Sequence, residues 1–405
     1  RMAEPLSRDP NPATPPPARA RVALLKRLAD VVCLPSSRVN GFERAMTGDL
    51  LVEMLREASP QERLRVSRRL ANLTEVPSAL VRLLLRDAPE IAKPLLDDSQ
   101  ALSDSDLIAC ARDAGLEHRL LIAGRRHVSE PVVEAAVEAL EPPVVEALLQ
   151  NEGARFSQAA LETVVAASRV QQGYIPLLLR RAELRPSQAY VLFWWSDPEP
   201  RRLILSRFAV SREVLQEAAG DVFPLAAAEG WQDPLVRKAL QFIERRQRNR
   251  AAVDKSPYDS LEDAVAASQA GMTRQLASEI AYLAGLKPMT GAKILTDPCG
   301  EPLAILCKAT GLPRSAVRAL WRGLKRPEAD SQGNPLPALE RTLVIYDMMA
   351  VDRAQTVLRY WNWALSSAMT PTLVQAIRSG DEEAVDEFSP PQRAAMLALA
   401  KDFGG

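Results

Sequence analysis

The feature that most constrains the fold is a sequence pattern that recurs every 24 to 30 residues along the middle of the chain. It is a serine that can cap a helix, followed four residues later by an apolar residue of the kind found in cores. The pairs are Ser103/Leu107, Ser129/Val133, Ser157/Leu161, Ser187/Val191 and Ser211/Leu215. The intervals also carry helix breakers near their middles: Gly115, Pro142 with Pro143, Gly173, Pro198 with Pro200, and Gly220. The pattern predicts five hairpins, each made of two helices of about three turns.

The unit "SEPVVEAAVEALEPPVVEALLQN" at 129–151 contains the letters PVVEA twice. Both copies fit a helix start, because a proline is tolerated in the first turn and the two valines after it face a core. We predict one apolar stripe from Val133, Val137 and Leu140, and the stripe of the partner helix from Val144, Val145, Leu148 and Leu149. Ser59 and Ser78 are interpreted as the starts of earlier, weaker copies.

Short hairpins cannot bury their apolar faces alone, so they stack on one another. We therefore predict an all-α fold, a right-handed α-solenoid of helical hairpins over 18–250. The proline-rich segment 1–17 is expected to be a disordered leader. A turn-rich link at 243–260 predicts a boundary, and 251–405 is expected to form a smaller helical C-terminal domain with a long helix from about Ala338 to Leu365.

Charge and hydropathy restrict the location and partners of the chain. Lysine plus arginine and aspartate plus glutamate both number 51, so no net charge attracts it to nucleic acid or an anionic membrane. The longest apolar run, "AYVLFWW" at 189–195, is too short to span a bilayer, and no signal peptide is recognisable. The four cysteines, Cys33, Cys110, Cys299 and Cys307, fit reduced thiols. We expect a cytoplasmic protein with no membrane partner.

The segments "LLDDSQALSDSDL" and "LLQNEGARFS" are the most specific parts of a wider resemblance over residues 88–245. This region resembles an alphaproteobacterial family of unknown function with HEAT-like helical repeats. The resemblance implies a bacterial, cytoplasmic, all-helical protein whose hairpins are HEAT-like, and it implies that Asn151 and Gly153 determine the fold. It brings no reaction, cofactor or catalytic residue.

Charges are distributed unevenly between the helices of the hairpins. Acids prevail in the first helices and arginines in the second helices, so stacking predicts an acidic wall and a basic wall. A basic wall suits an acidic segment of another protein, although arginine stems also simply cover apolar surface. We predict a non-catalytic scaffold or regulatory adaptor, with self-association left open. Its anchors are expected to be Arg125, Arg126, Arg180, Arg181, Arg201 and Arg202, with Trp194 or Trp195 adding apolar area.

The alternative function is nucleic-acid binding, by the same arginine wall or by a segment at 304–322. That segment partly fits a helix-turn-helix, with Gly311 at the turn and Val317 at a core position. Arg314, Arg318 and Arg322 would then face a major groove. Thr310 stands where an apolar residue is usual, which weakens the match.

Signs of catalysis are scarce. No glycine-rich phosphate loop, nucleophile elbow or metal-ligand spacing is recognisable, and His118 and His127 are nine residues apart rather than four. We therefore predict no catalytic residue, no cofactor and no metal. A third possibility, a base-excision enzyme, requires Asp197 and the tryptophans to share one concave pocket.

Overall fold

The computed structural model of the protein describes residues 18–209 and 255–364. Within these ranges it contains 20 α-helices, a 3-10 helix at Ser268–Ala270, no strand, and two isolated bridges. The prediction of an all-α chain is confirmed for these residues. Among them, no helix is both long and apolar enough to cross a bilayer.

The chain divides into two compact units, Arg1–Ala160 and Leu161–Gly405. The predicted leader at 1–17, the predicted boundary near residue 250, and the helix start at Ser211 with its breaker Gly220 lie outside the described residues. The helices wholly inside the first unit are α1 (Ala18–Val32), α2 (Gly41–Arg56), α3 (Pro60–Leu70), α4 (Ser78–Leu85), α5 (Pro89–Asp98), α6 (Asp104–Asp113), α7 (Leu116–Ala123), α8 (Glu130–Val137) and α9 (Pro142–Gln150).

In the first unit, each helix from α2 to α7 packs against the helix two places further along the chain. Thus α2, α4, α6 and α8 contact one another in succession, and so do α3, α5, α7 and α9. Successive helices also meet, as α6 does with α7 and α8 with α9. Alternate helices therefore form two groups, each held by contacts between neighbouring hairpins.

Serine caps begin several of these helices as predicted. The Ser103 hydroxyl accepts from the Asp106 amide at 3.2 Å, and the Asp106 carboxylate accepts from the Ser103 amide at 3.0 Å. Ser59 caps α3 in the same reciprocal way, and the Ser157 hydroxyl accepts from the Ala160 amide. Ser129 precedes α8 but donates its hydroxyl to Asp104 instead. In these caps, side-chain oxygens accept hydrogen bonds from amides at the helix start, which have no partner within the helix.

The predicted start at Ser187 is wrong by two residues. Helix α12 (Pro186–Phe193) begins one residue before Ser187, and Arg185 occupies the N-cap position, where its amide donates to the Gln188 side chain. A proline suits the first helical position, so it begins the helix ahead of the serine.

The predicted breakers lie between helices or in the first turn of a helix wherever the structure describes them. Gly115 precedes α7, and Gly173 precedes α11 (Tyr174–Leu179). Prolines open α9 and α13 (Pro198–Phe208). The stripe from Val144 to Leu149 is buried as predicted, and so are Val133 and Val137. Leu140 is not: its φ is 49° and it is 38% exposed, because α8 ends at Val137 and the chain turns there into α9.

Asn151 and Gly153 hold the turn after α9 against the turn after α7. The Asn151 amide donates to the carbonyls of Ala123 and Arg125 at 2.7 and 2.8 Å, while its oxygen accepts from the Gly153 amide. A Cβ on Gly153 would lie 1.7 Å from the Arg126 carbonyl oxygen. Both residues therefore have the structural role that the resemblance implies.

The remaining helices are α10 (Gln158–Ala167), α11 (Tyr174–Leu179), α12 (Pro186–Phe193), α13 (Pro198–Phe208), α14 (Leu261–Ala267), α15 (Arg274–Leu283), α16 (Pro288–Thr296), α17 (Glu301–Thr310), α18 (Arg314–Gly323), α19 (Pro337–Met348) and α20 (Val351–Ala364). Helix α17 is the most buried of the helices described in the second unit, and it packs against α16, α18, α19 and α20. Helix α20 also packs against α12.

The single long helix predicted from Ala338 to Leu365 is wrong. The chain forms α19 and α20 instead, with a break at Met349, whose backbone is extended. Both helices pack against α17, which has 10 residues and is therefore about 15 Å long. A straight helix of about 28 residues would be roughly 42 Å long, so it could not keep both of its halves on α17.

Candidate protein-binding groove

A groove of about 410 Å³ runs between α11 and α13 in the second unit. The residues that line it combine apolar groups, two arginines and one acid: Pro176, Leu179, Arg180, Glu199, Pro200, Arg202, Leu203 and Ser206. Arg180 and Arg202 are two of the six arginines predicted to anchor a partner. The structure therefore brings these two to a single concave surface.

Local helix geometry places both arginines at the surface. Helix α11 buries Tyr174, Ile175, Leu178 and Leu179, and Arg180 follows as its exposed C-cap residue. Helix α13 buries Ile204, Leu205 and Phe208, which leaves Arg202 exposed and Leu203 46% exposed. Neither Arg180 nor Arg202 forms an ion pair with an acid of the described ranges. Two cationic groups are thus available to a ligand.

The two walls of the groove are fastened to each other. The Arg207 guanidinium lies 4.7 Å from the centre of the Phe208 ring and donates to the Leu179 carbonyl, which joins α13 to the end of α11. This contact uses a carbonyl that a helix end leaves without an intrahelical partner. This contact therefore fixes the position of α13 relative to the end of α11.

Arg201 does not belong to an exposed wall, contrary to our expectation. It is 2% exposed, and its guanidinium binds both oxygens of Asp297 at 2.7 and 2.8 Å and Glu301 at 3.1 Å. Its Nε donates to the Ser196 carbonyl at 2.9 Å. Helix α13 turns this position inward, and the two acids offset the cost of burying the cation. A partner cannot reach it.

The other predicted anchors differ in their surroundings. Arg181 is 7% exposed and pairs with Glu183 at 2.6 Å. Arg125 is half-buried and donates to the carbonyls of Leu96 and Ser99, which caps the end of α5. Arg126 is exposed in the first unit. Of the six arginines predicted to form the basic wall, only Arg126, Arg180 and Arg202 are therefore exposed.

Trp194 and Trp195 are half-buried and do not line the groove. The Trp195 indole donates to the Ser168 hydroxyl at 2.9 Å, and the Trp194 ring packs 4.8 Å from that of Trp361. They serve mainly to pack the second unit. Asp197, which the base-excision hypothesis requires beside them, is the exposed N-cap of α13.

The sequence analysis missed a buried cluster around the turn "DPCGE" at 297–301. Ligand-type atoms of Asp297, Cys299 and Glu301 lie within 4.8 Å of one another. The Asp297 carboxylate is already occupied, because it accepts from Arg201 and from the backbone amides of Cys299 and Gly300. Burial raises the pKa of the Cys299 thiol, which disfavours the thiolate that a metal requires. These donors fit an arginine better than a metal ion.

Arg326 completes this cluster from the other side. It donates to the carbonyls of Leu295, Asp297 and Pro298 at the end of α16, and its guanidinium lies 5.2 Å from the centre of the Trp321 ring. Burial lowers its pKa. The local signal for the cluster is a helix-breaking "DPCG" directly before an apolar helix, but nothing in that signal identifies Arg201 as its partner.

The helix-turn-helix-like segment consists of α17, a turn at Gly311 with φ 78°, and α18. Helix α18 buries Val317, Leu320 and Trp321 among others. The predicted base-reading residues already have acidic neighbours: Arg314 pairs with Asp347 and Arg322 with Glu328, both at 3.0 Å, while Arg318 is half-buried. These acids reduce the positive potential that attracts nucleic acid.

Comparison with known families identifies one match. Residues 91–359, more than half of the 405-residue chain, match the family described as an uncharacterised protein conserved in bacteria (DUF2336). The chain belongs to this family. No curated protein and no solved structure matches it.

The DUF2336 match includes the groove, the buried cluster of Arg201 with Asp297, Cys299 and Glu301, and the helix-turn-helix-like segment. It begins at Ile91, inside α5, so α1 to α4 precede it. The candidate site is therefore part of the family's own domain.

Proposed function

We propose that this DUF2336 protein is a non-catalytic binding scaffold or regulatory adaptor, and that its groove between α11 and α13 holds an acidic, partly apolar segment of another protein. The observation that carries the proposal is the pair of exposed arginines, Arg180 and Arg202, on the two walls of one groove with leucine and proline between them. Arginine beside apolar surface is a typical composition of interface anchors.

We also infer the finer architecture. The contacts between alternate helices in the first unit support an α-solenoid of HEAT-like hairpins, because each hairpin there packs mainly on its neighbours. Solenoids typically bind partners along an extended face. A cytoplasmic location and an alphaproteobacterial origin belong to the same proposal.

The chemistry of the groove selects the partner. A carboxylate can accept two parallel hydrogen bonds from one guanidinium, and a hydrogen bond to a charged group contributes about 1.5–3 kcal/mol. Leu203 and the two prolines offer apolar area between the charges. An acidic segment with one or two apolar side chains satisfies both features.

Nucleic acid is a less suitable ligand for this groove. Neutralising about two phosphates gives a salt dependence with a slope of roughly −1.8, which means weak binding at physiological salt. Binding of duplex DNA is therefore an outcome that the test must distinguish.

The test compares two charge-reversal variants in crosslinked affinity capture from the bacterial host. Arg180→Glu with Arg202→Glu reverses the groove, and Arg65→Glu with Arg68→Glu applies the same charge change to exposed arginines of α3. We expect the groove variant to lose a protein that wild type and control both retain, with the crosslinked peptide of that protein rich in acids. Equal capture by all three proteins would refute the proposal, and so would retardation of a DNA duplex that only the groove variant loses.

A further inference from the structure

Helix α2 has an apolar ridge on the side opposite its buried face. Phe42, Met46 and Leu50 follow one another at intervals of four residues and are 73%, 51% and 55% exposed. The buried residues of the same helix are Gly48, Leu51, Val52 and Leu55. At about 100° per residue, the centres of these two groups lie roughly 180° apart around the helix. Helix α2 is thus apolar on both sides, and the described parts of the chain bury only one of them.

This arrangement is unusual for a surface helix. Single exposed apolar side chains are common, but a helix that is apolar on both sides is normally covered on both. Residues spaced by four form a ridge that fits a groove on a second helix, the commonest mode of helix packing in globular proteins. The ridge has the geometry of an interface for another helix.

The charges beside the ridge indicate the nature of that helix. Glu43, Asp49 and Glu53 are exposed next to it, and none of them forms an ion pair within the described ranges, while Arg56 is at the C-terminal end of α2. A second copy of α2 on this ridge would bring like charges together, which disfavours self-pairing. A helix with lysine or arginine beside its apolar ridge would instead be complementary.

We propose that the Phe42–Met46–Leu50 ridge is a docking site for an amphipathic helix of a partner protein, with an apolar ridge flanked by basic residues. The site lies in the first unit and is independent of the groove between α11 and α13. The groove is proposed to bind an acidic segment, whereas the ridge is proposed to bind a basic helix. One scaffold would then carry two different binding specificities.

The probe is a synthetic 18-residue helical peptide with a leucine ridge flanked by lysines, compared with the same peptide carrying glutamates in the flanks. Fluorescence anisotropy measures binding to the full chain. We expect Phe42→Ala, Met46→Ala and Leu50→Ala together to weaken binding of the lysine peptide at least tenfold. The matched control removes exposed apolar groups elsewhere, by Val170→Ala, Val344→Ala and Met348→Ala, and should leave the affinity unchanged.

A charge-reversal variant tests the flanks without damaging the helix. Asp49→Lys with Glu53→Lys should reverse the preference, so that the glutamate peptide becomes the tighter ligand. Glu43 is left in place because its carboxylate closes the capping box with Asn40. Circular dichroism checks that each variant is folded.

Several results would overturn the proposal. One is undiminished binding of the lysine peptide by the triple alanine variant. Another is a preference between peptides that the charge reversal does not change. A third is a wild-type dimer in analytical ultracentrifugation that the alanine variant converts to a monomer, because the ridge would then belong to a contact between two copies of the chain.

Discussion

Replacing Arg201 by methionine should destabilise the second unit strongly. The side chains of Arg201, Asp297 and Glu301 are each 2% exposed, so the substitution leaves two carboxylates in the interior without their cation. Removing one partner of a buried ion pair costs about 3–5 kcal/mol. The Asp297 carboxylate keeps its bonds to the amides of Cys299 and Gly300, which limits the loss to this range.

Tryptophan fluorescence during urea denaturation measures this loss in the second unit alone. All six tryptophans follow residue 161, so the first unit contributes no signal. With a denaturant slope of about 2–3 kcal/mol per molar, the midpoint should fall by about 1–2 M. The control is Arg322→Met, which removes an exposed arginine whose partner Glu328 is 32% exposed. Water can solvate that acid, so the control should lose roughly 1 kcal/mol.

A triple variant distinguishes an unpaired charge from a simple packing defect. Adding Asp297→Asn and Glu301→Gln to Arg201→Met removes the buried negative charges that the single substitution leaves without a cation. The triple variant should therefore recover more than half of the stability that Arg201→Met loses. A loss below about 1 kcal/mol for Arg201→Met, or no recovery in the triple variant, would refute the reasoning.

Three further predictions concern other residues. Gly153→Ala places a Cβ against a backbone oxygen and should lower the free energy of unfolding by more than about 2 kcal/mol, whereas Gly115→Ala, which meets no atom within 4 Å, should change it by less than about 1 kcal/mol in thermal unfolding. Ser103→Ala removes the hydroxyl that accepts from the Asp106 amide at the start of α6 and should cost about 1 kcal/mol in the same assay. Burial raises the pKa of Cys110 to about 11, so maleimide at pH 8 should label the half-exposed Cys33 well before Cys110, as peptide mass spectrometry can show; equal labelling would contradict this.

The features that the sequence predicted well are those whose hydrogen bonds close within a few residues. Ser103 and Asp106 are three apart, and a glycine or proline acts on the helix it adjoins, so the letters alone indicate these starts and ends. The predictions were wrong where contacts between residues far apart in the sequence determine the local structure. Leu140 fits the helical period but lies in a turn, and the helix predicted from Ala338 is divided because two halves share α17.

The candidate site was predicted in part for the same reason. The excess of arginine in the second helices of the hairpins predicts Arg180 and Arg202 as anchors, and the packing of α11 on α13 places both at one groove. Arg201 is predicted by the same excess but is buried, because its acids lie 96 and 100 residues away and no local pattern connects them. The α2 ridge was not predicted because α2 has two apolar faces, and such a helix does not show the single apolar stripe that indicates a packed surface helix.

The separation between Arg201 and its acids also bears on how the protein is made. A ribosome that has just released α13 has not yet synthesised Asp297, so the nascent chain holds an arginine whose inward position has no counter-charge until about a hundred more residues emerge. The aromatic contact between Phe193 and Trp361 closes later still. The capped hairpins of the first unit, in contrast, pack on hairpins next to them in the sequence, as α6 does on α8 and α7 on α9. Translation order thus favours completion of the N-terminal hairpins while the C-terminal half still awaits its last helices.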